Sequence, residues 1–163
     1  MTKSEVLRRT WVDISLDAID YNFRKIKAHV GRSMVMAVVK ADAYGHGDRM
    51  TAPFLEDAGA DWFGVSNIGE ALGIRESGVT KPILIFGNTP AECVGDLAKW
   101  NITQTAYSLH YAKELSAEAE KLGVTLDVHL KFDTGMGRIG FVCSEDNLTS
   151  RFPKQRKLLC FRI

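Results

Sequence analysis

The sequence predicts an α/β fold, the N-terminal portion of a (β/α)8 TIM-like barrel with about five parallel strands, and three observations support it. Short apolar runs rich in β-branched residues alternate with helical periodicities along most of the chain. Glycines punctuate the helix ends and no two-residue hairpin signal joins one strand to the next, so parallel strands with right-handed crossovers are expected. No GxGxxG fingerprint follows the first strand, which weighs against an open doubly wound sheet. A complete barrel takes about 250 residues, whereas this chain has 163. It therefore reads as a barrel that stops partway.

Residues 11–16 (WVDISL) alternate apolar and polar side chains and predict a strand. Asp17 is placed to cap the next helix, where Ile19, Phe23, Ile26 and Val30 recur at helical spacing and Gly31 supplies the stop. Residues 34–40 are expected to form a buried strand, because an uncharged apolar run this short does not make a buried helix and valines favour a strand. A helix over 46–58 follows, with Pro53 inside it. The unit then repeats: strand 62–66, helix 69–77 closed by Gly78, strand 83–86, helix 89–100, strand 102–107, helix 109–122 ended by Gly123, and strand 124–132. Arg75, on the 69–77 helix, is expected to be peripheral.

Two stretches carry chemistry. In MVMAVVKADAYGHG, residues 34–47, an apolar strand ends in Lys40 and passes at once into a glycine-punctuated polar loop. The C-terminal lip of a strand is where α/β folds bind ligands. A lysine rooted in an apolar wall can lose its proton by desolvation and attack a carbonyl carbon, which is Schiff-base chemistry. On this stretch alone a second reading stands, in which the lysine stem covers the strand end and its head reaches water. In TLDVHLKFD, residues 125–133, Leu126, Val128, Leu130 and Phe132 share one face while Asp127, His129, Lys131 and Asp133 share the other. The polar row marks either a network inside the barrel beneath a site or an edge strand with one wet face. The loop DTGMGRIG then offers glycines at 135, 137 and 140 for a tight turn and close backbone approach, with Arg138 projecting from it.

VVKADAYGHG resembles the cofactor-lysine segment of alanine racemases, the pyridoxal-phosphate enzymes that interconvert L- and D-alanine, and KFDTGMGRIGF resembles their second signature. The likeness runs from about Trp11 to about Phe141 and implies the N-terminal part of such an enzyme, without its C-terminal β domain. It implies that Lys40 carries pyridoxal 5'-phosphate covalently and that Tyr44 reaches the phosphate. Arg138 is implied to bond the cofactor's phenolic oxygen and help place the substrate carboxylate, with Lys131 holding that arginine and His129 supporting the same polar face. In some members the equivalent of Lys131 is carbamylated. His46 matches the motif as well, and Phe86 stands where the family usually has a smaller aliphatic side chain near the cofactor ring. The resemblance further implies a homodimer that shares its active sites, a second base supplied by the partner's C-terminal domain, and D-alanine supply for peptidoglycan. On that basis this chain alone is expected to racemise alanine poorly or not at all. The alternatives are a single-domain module that holds pyridoxal phosphate without catalysis, or an inactive fragment.

Composition narrows the classes further. With 45% hydrophobic and 25% charged residues the chain has an ordinary soluble composition. No charged start is followed by an apolar run and no run is long enough to cross a bilayer, so a cytoplasmic, non-membrane protein is expected. Cys93, Cys143 and Cys160 form no CxxC arrangement, so neither a disulfide framework nor a metal site is suggested. Five of the 21 basic residues lie in 147–163, which holds no acid, leaving 16 basic against 20 acidic groups before it. The body is mildly acidic, which argues against nucleic-acid binding. Residues 1–143 are therefore expected to be the partial barrel, and 144–163 an atypical basic tail that reads as disordered or frame-shifted.

Overall fold

A computed structural model describes residues 10–143 and the strand Cys160–Arg162. Five parallel strands form one sheet in sequence order: β1 (Met36–Val38), β2 (Trp62–Val65), β3 (Ile83–Ile85), β4 (Ile102–Ala106) and β5 (Asp127–Leu130). The helices between them are α2 (Asp48–Asp57), α3 (Ile68–Glu76), α4 (Val94–Lys99) and α5 (Leu109–Leu122), with α1 (Leu16–Val30) leading into β1. Residues 34–40, 62–66, 83–86, 102–107 and 124–132 therefore each contain a strand, as the alternation predicts. The last run divides, however. After β5, Lys131 N still donates to Ala106 O of β4 at 3.0 Å while its own carbonyl accepts from Phe141 N at 2.8 Å, and β6 (Phe132–Asp133) pairs with β7 (Phe141–Val142) across the glycine loop.

Residues 11–16 do not form the expected strand. Trp11 and Val12 are 69% and 76% exposed, and with no strand paired to them among the described residues, alternation alone does not hold them extended. The helix cap also shifts: Ser15 Oγ accepts from Ala18 N at 3.2 Å, while Asp17 sits inside the first turn and complements the helix dipole. The helix predicted over 89–100 is a 3-10 turn, Ala91–Cys93, followed by the short α4. Of the tail placed at 144–163, only β8 (Cys160–Arg162) lies within the described residues; it has no strand period in sequence, yet it pairs antiparallel with β5.

The two faces of the sheet separate cleanly. Phe63, Val65, Ile83, Ile85, Ile102, Ala106 and Val128 pack against Ala52, Leu55, Ala71, Ile74, Leu97, Leu115 and Ala119 of the helices, all buried. Trp62, Gly64, Leu84, Thr103, Thr105 and His129 alternate with them and face the barrel interior. The Trp62 and His129 rings meet at 5.2 Å between centroids. Their strands are three spacings apart, roughly 14 Å across a flat sheet at about 4.8 Å per spacing. The contact requires the curl of a barrel wall.

Arg75 does not line the strand-end cleft, yet it is tightly engaged elsewhere in the fold. Its guanidinium donates to four backbone carbonyls, Val79 O at 2.8 Å, Lys81 O at 2.7 Å, Trp100 O at 3.0 Å and Asn101 O at 2.9 Å. These belong to the segments entering β3 and β4, so one side chain ties the lower rim of the sheet together.

Candidate active site

Lys40 leaves the upper end of β1, where Val39 N donates to Gly64 O at 2.9 Å and anchors the lip to β2. The next four residues, Ala41, Asp42, Ala43 and Tyr44, have φ between 51° and 56° and ψ between 37° and 54°, one turn of left-handed helix. Non-glycine residues disfavour this region by about 1–2 kcal/mol each, so the turn must be held from outside. The motif supplies the restraints. Ala43 N donates to Val39 O and Gly47 N to Asp42 O, both at 2.9 Å. Asp42 Oδ1 accepts from Asp48 N at 2.9 Å, which ties the turn to the start of α2. His46 lies 2.9 Å from Ala43 O through Nδ1, and since a carbonyl only accepts, Nδ1 carries the proton. His46 thus closes the turn. Gly45 and Gly47 continue with φ of 84° and 83°, where only glycine is free of strain.

Glu70 gives the last restraint. Asn67 caps α3 through Oδ1 to Glu70 N at 3.0 Å. The Glu70 carboxylate then spans two strand lips, accepting from Ser66 N at 2.7 Å after β2 and from Ala41 N at 2.9 Å beside Lys40.

The C-terminal ends of the strands open onto a cleft of about 350 Å³ lined by Lys40, Ser66, Phe86, Gly87, Lys131, Arg138 and Ile139. Three of these are cations and none is an acid. Phe86 lies across Gly64: a Cβ there would come within 2.4 Å of Phe86 Cζ, so the bare glycine makes room for the ring. Gly87 likewise approaches Ser66 O, which a Cβ would meet at 2.5 Å. The segment carrying Gly87 is tied back to β4 and α5. Gln104 Nε2 donates to Gly87 O at 2.7 Å, Tyr107 Oη to Asn88 Oδ1 at 2.9 Å and Tyr111 Oη to Thr89 O at 2.6 Å. Burial pushes the Tyr111 hydroxyl up to about 12, so it remains a donor.

Arg138 reaches the cleft from a loop organised by Asp133. Asp133 Oδ1 accepts from Gly135 N and Gly137 N, each at 3.0 Å. Those backbone N–H groups, Gly137 first and Gly135 next, hold its carboxyl below the usual carboxylate range. Gly140 closes the loop with φ 140°, pressed so near the strand that a Cβ would lie 2.7 Å from Asp133 N.

Lys40, Lys131 and Arg138, predicted from sequence, converge on this one cleft. Tyr44 does not line it; its ring is 61% exposed, with Lys40 Nζ 5.8 Å from the centroid. His129 is buried on the interior face against Trp62, and burial holds its imidazole below the ordinary histidine range. It supports the wall rather than lining the cleft. Sequence reasoning missed Ser66, Gly87, Ile139 and Glu70. For Glu70 a signal existed, the spacing Asn67-x-x-Glu70 of a capping box, but there the carboxylate normally returns to the cap residue's own N–H.

Residues 14–154 match the family described as "Alanine racemase, N-terminal domain". The chain is 50% identical over 141 residues to alanine racemase 1 of Caldanaerobacter subterraneus subsp. tengcongensis, covering 86% of this chain and 36% of that protein. The structure of an alanine racemase from Clostridium difficile 630 superposes with a TM-score of 0.78 at 39% identity, covering 86% of this chain and 37% of that one. A histidine racemase from Leuconostoc mesenteroides subsp. sake superposes with a TM-score of 0.73 at 35% identity, covering 78% of this chain and 34% of that one. The chain spans about a third of the length of the relatives it matches. It belongs to the alanine racemase N-terminal domain family and corresponds to the N-terminal part of an alanine racemase.

Proposed function

We propose that these residues are the barrel part of an alanine racemase, acting on alanine in the cytoplasm within a homodimer and carrying pyridoxal 5'-phosphate on Lys40. In this reading residues 1–143 are the racemase unit and 144–163 an atypical basic tail, whose strand β8 pairs with β5. The observation that supports it best is the convergence of Lys40, Lys131 and Arg138 on one cleft at the strand ends. The donor set suits the cofactor: a primary amine for its aldehyde, and two further cations with no opposing acid for its anionic oxygens. When bound, the cofactor supplies an electron sink for the charge left on a substrate α-carbon once its proton is removed.

The protein's own residues do the rest. Lys40 Nζ, set at the lip by the left-handed turn, takes or returns a proton on one face of the α-carbon. Arg138 holds anionic oxygen and so helps orient the substrate carboxylate, while Lys131 adds positive charge to the same wall. Phe86, with the end of its ring against Gly64, covers one side of the cleft and would keep water from it. Tyr44, outside the cleft lining but with its ring 5.8 Å from Lys40 Nζ, would meet the phosphate through its hydroxyl.

The test is α-proton exchange in D2O by the purified chain loaded with pyridoxal phosphate. One enantiomer of alanine should exchange faster than the other, alanine faster than histidine, and Lys40→Ala should abolish exchange. Equal exchange by K40A would refute the assignment, and a preference for histidine would move the substrate to that of the Leuconostoc relative.

A further inference from the structure

We propose that Glu70 is a positioning residue for Lys40, holding the left-handed turn that sets the direction in which the lysine leaves the strand; the proposal rests on the cofactor role assigned to Lys40 above. Three features lead to it. First, the turn Ala41–Tyr44 is intrinsically unfavourable for L residues and stands immediately after Lys40, so whatever fixes the turn also fixes the lysine's backbone. Second, Ala41 is the first residue of that turn, and its N–H goes to the Glu70 carboxylate at 2.9 Å rather than to a carbonyl within the turn. Third, the other carboxylate oxygen accepts from Ser66 N at 2.7 Å, and Ser66 itself lines the cleft.

A single rigid carboxylate therefore sets the distance between the lips of β1 and β2, with Lys40 on one side and Ser66 on the other. The helix does not need this acid as a cap. Asn67 already satisfies the first turn of α3 through Glu70 N, and Ser108 caps α5 with no such acid. The Glu70 side chain is thus not needed as a cap, and besides complementing the dipole of α3 it commits both oxygens to the strand lips. Its neighbours there are backbone donors, which recognise a carboxylate with both oxygens free and discriminate against an amide, since an amide turns an N–H toward one of them.

The experiment compares wild type with Glu70→Gln, using Glu56→Gln as a matched control. Glu56 is also a carboxylate clamp, accepting from Thr80 N at 2.9 Å and Lys81 N at 3.3 Å, but at the opposite ends of the strands. Pyridoxal phosphate is titrated, borohydride fixes what is attached, and peptides are mapped. Visible circular dichroism of the attached chromophore, measured at full occupancy, reports its orientation. Backbone amide exchange over residues 39–47 is followed without cofactor.

Expected for E70Q are a half-saturating concentration raised about 10- to 100-fold, altered visible dichroism at saturation, and faster exchange confined to 39–47. E56Q should lose stability and show none of these. If E70Q does not fold, Glu70→Asp serves instead: it keeps the charge but is one methylene short of spanning both amides, so it should show the same changes. Wild-type labelling at Lys40 together with unchanged titration and dichroism in the Glu70 variant overturns the positioning role and leaves the cofactor role standing. Wild-type labelling elsewhere removes the cofactor role, and this proposal falls with it.

Discussion

Replacing Arg75 by alanine should cost about 2–4 kcal/mol of stability, although Arg75 lies nowhere near the cleft. The magnitude follows from its four carbonyl partners. The bonds to Val79 O and Trp100 O are partly buried, and a bond to a charged donor is worth about 1.5–3 kcal/mol in such settings. Those to Lys81 O and Asn101 O are exposed, and water replaces most of what they lose. Burial also lowers the pKa of the guanidinium, which shows that its surroundings are only partly solvated, but arginine stays charged throughout the usable pH range. Two effective bonds, less relaxation, give the stated figure. For a chain of this size that is a fall of roughly 4–16 °C in Tm, at about 2–4 °C per kcal/mol. Urea unfolding followed by tryptophan fluorescence gives the difference, and Arg75→Lys should recover less than half of it because an ammonium lacks the planar fork. A loss under about 0.5 kcal/mol in R75A, the range of an ordinary surface change, would refute the rim-staple account.

Other outcomes follow from the site. Arg138→Ala should weaken pyridoxal phosphate binding by about one to two decades, whereas R75A should lower the melting temperature and leave the affinity of the folded fraction near wild type; matching titration curves for R138A and wild type would exclude the arginine from the site. Gly64→Ala should cost about 1–3 kcal/mol by displacing Phe86, and adding Phe86→Ala should recover part of it; a neutral G64A in urea unfolding would contradict the packing. Ala41→Gly should stabilise the chain by about 0.5–1 kcal/mol, since it relieves an exposed left-handed residue, and a destabilised A41G would mean the turn is not strained. Asp133 has a depressed folded pKa, so its contribution is present above the unfolded value of about 3.9 and is lost as pH falls through the folded value. Asp133→Asn should therefore flatten the acid limb of stability below about pH 4; an unchanged limb in pH-dependent urea melts would count against the loop's anchoring.

The repeating strand and helix units were legible because periods of two and 3.6 survive in a two-sided sheet whose helix-facing residues are continuous and apolar. Lys40, Lys131 and Arg138 were legible for a different reason: on each stretch alone a purely structural use stood open, and the resemblance of VVKADAYGHG and KFDTGMGRIGF to two family signatures pointed to the site. The segment 11–16 misled because alternation is a property of the chain, while a strand also needs an edge to pair with. The left-handed turn was hidden, since alanine and tyrosine give no sign of positive φ, and contacts from Asp42, His46 and Glu70 join the backbone bonds in making it tolerable. Arg75 and Glu70 were obscured in the same way. Each sits on a helix surface in sequence, and each joins nearby backbone groups to others 25 to 29 residues away in the chain.

The most direct test of the central claim is the site of covalent attachment. The purified chain is incubated with pyridoxal phosphate, reduced with borohydride, digested and mapped by mass spectrometry. A single modified lysine, Lys40, is expected in the peptide carrying VVKADAYGHG, with the label lost in Lys40→Ala. A label on Lys131 or any other lysine, or undiminished labelling of K40A, would contradict it.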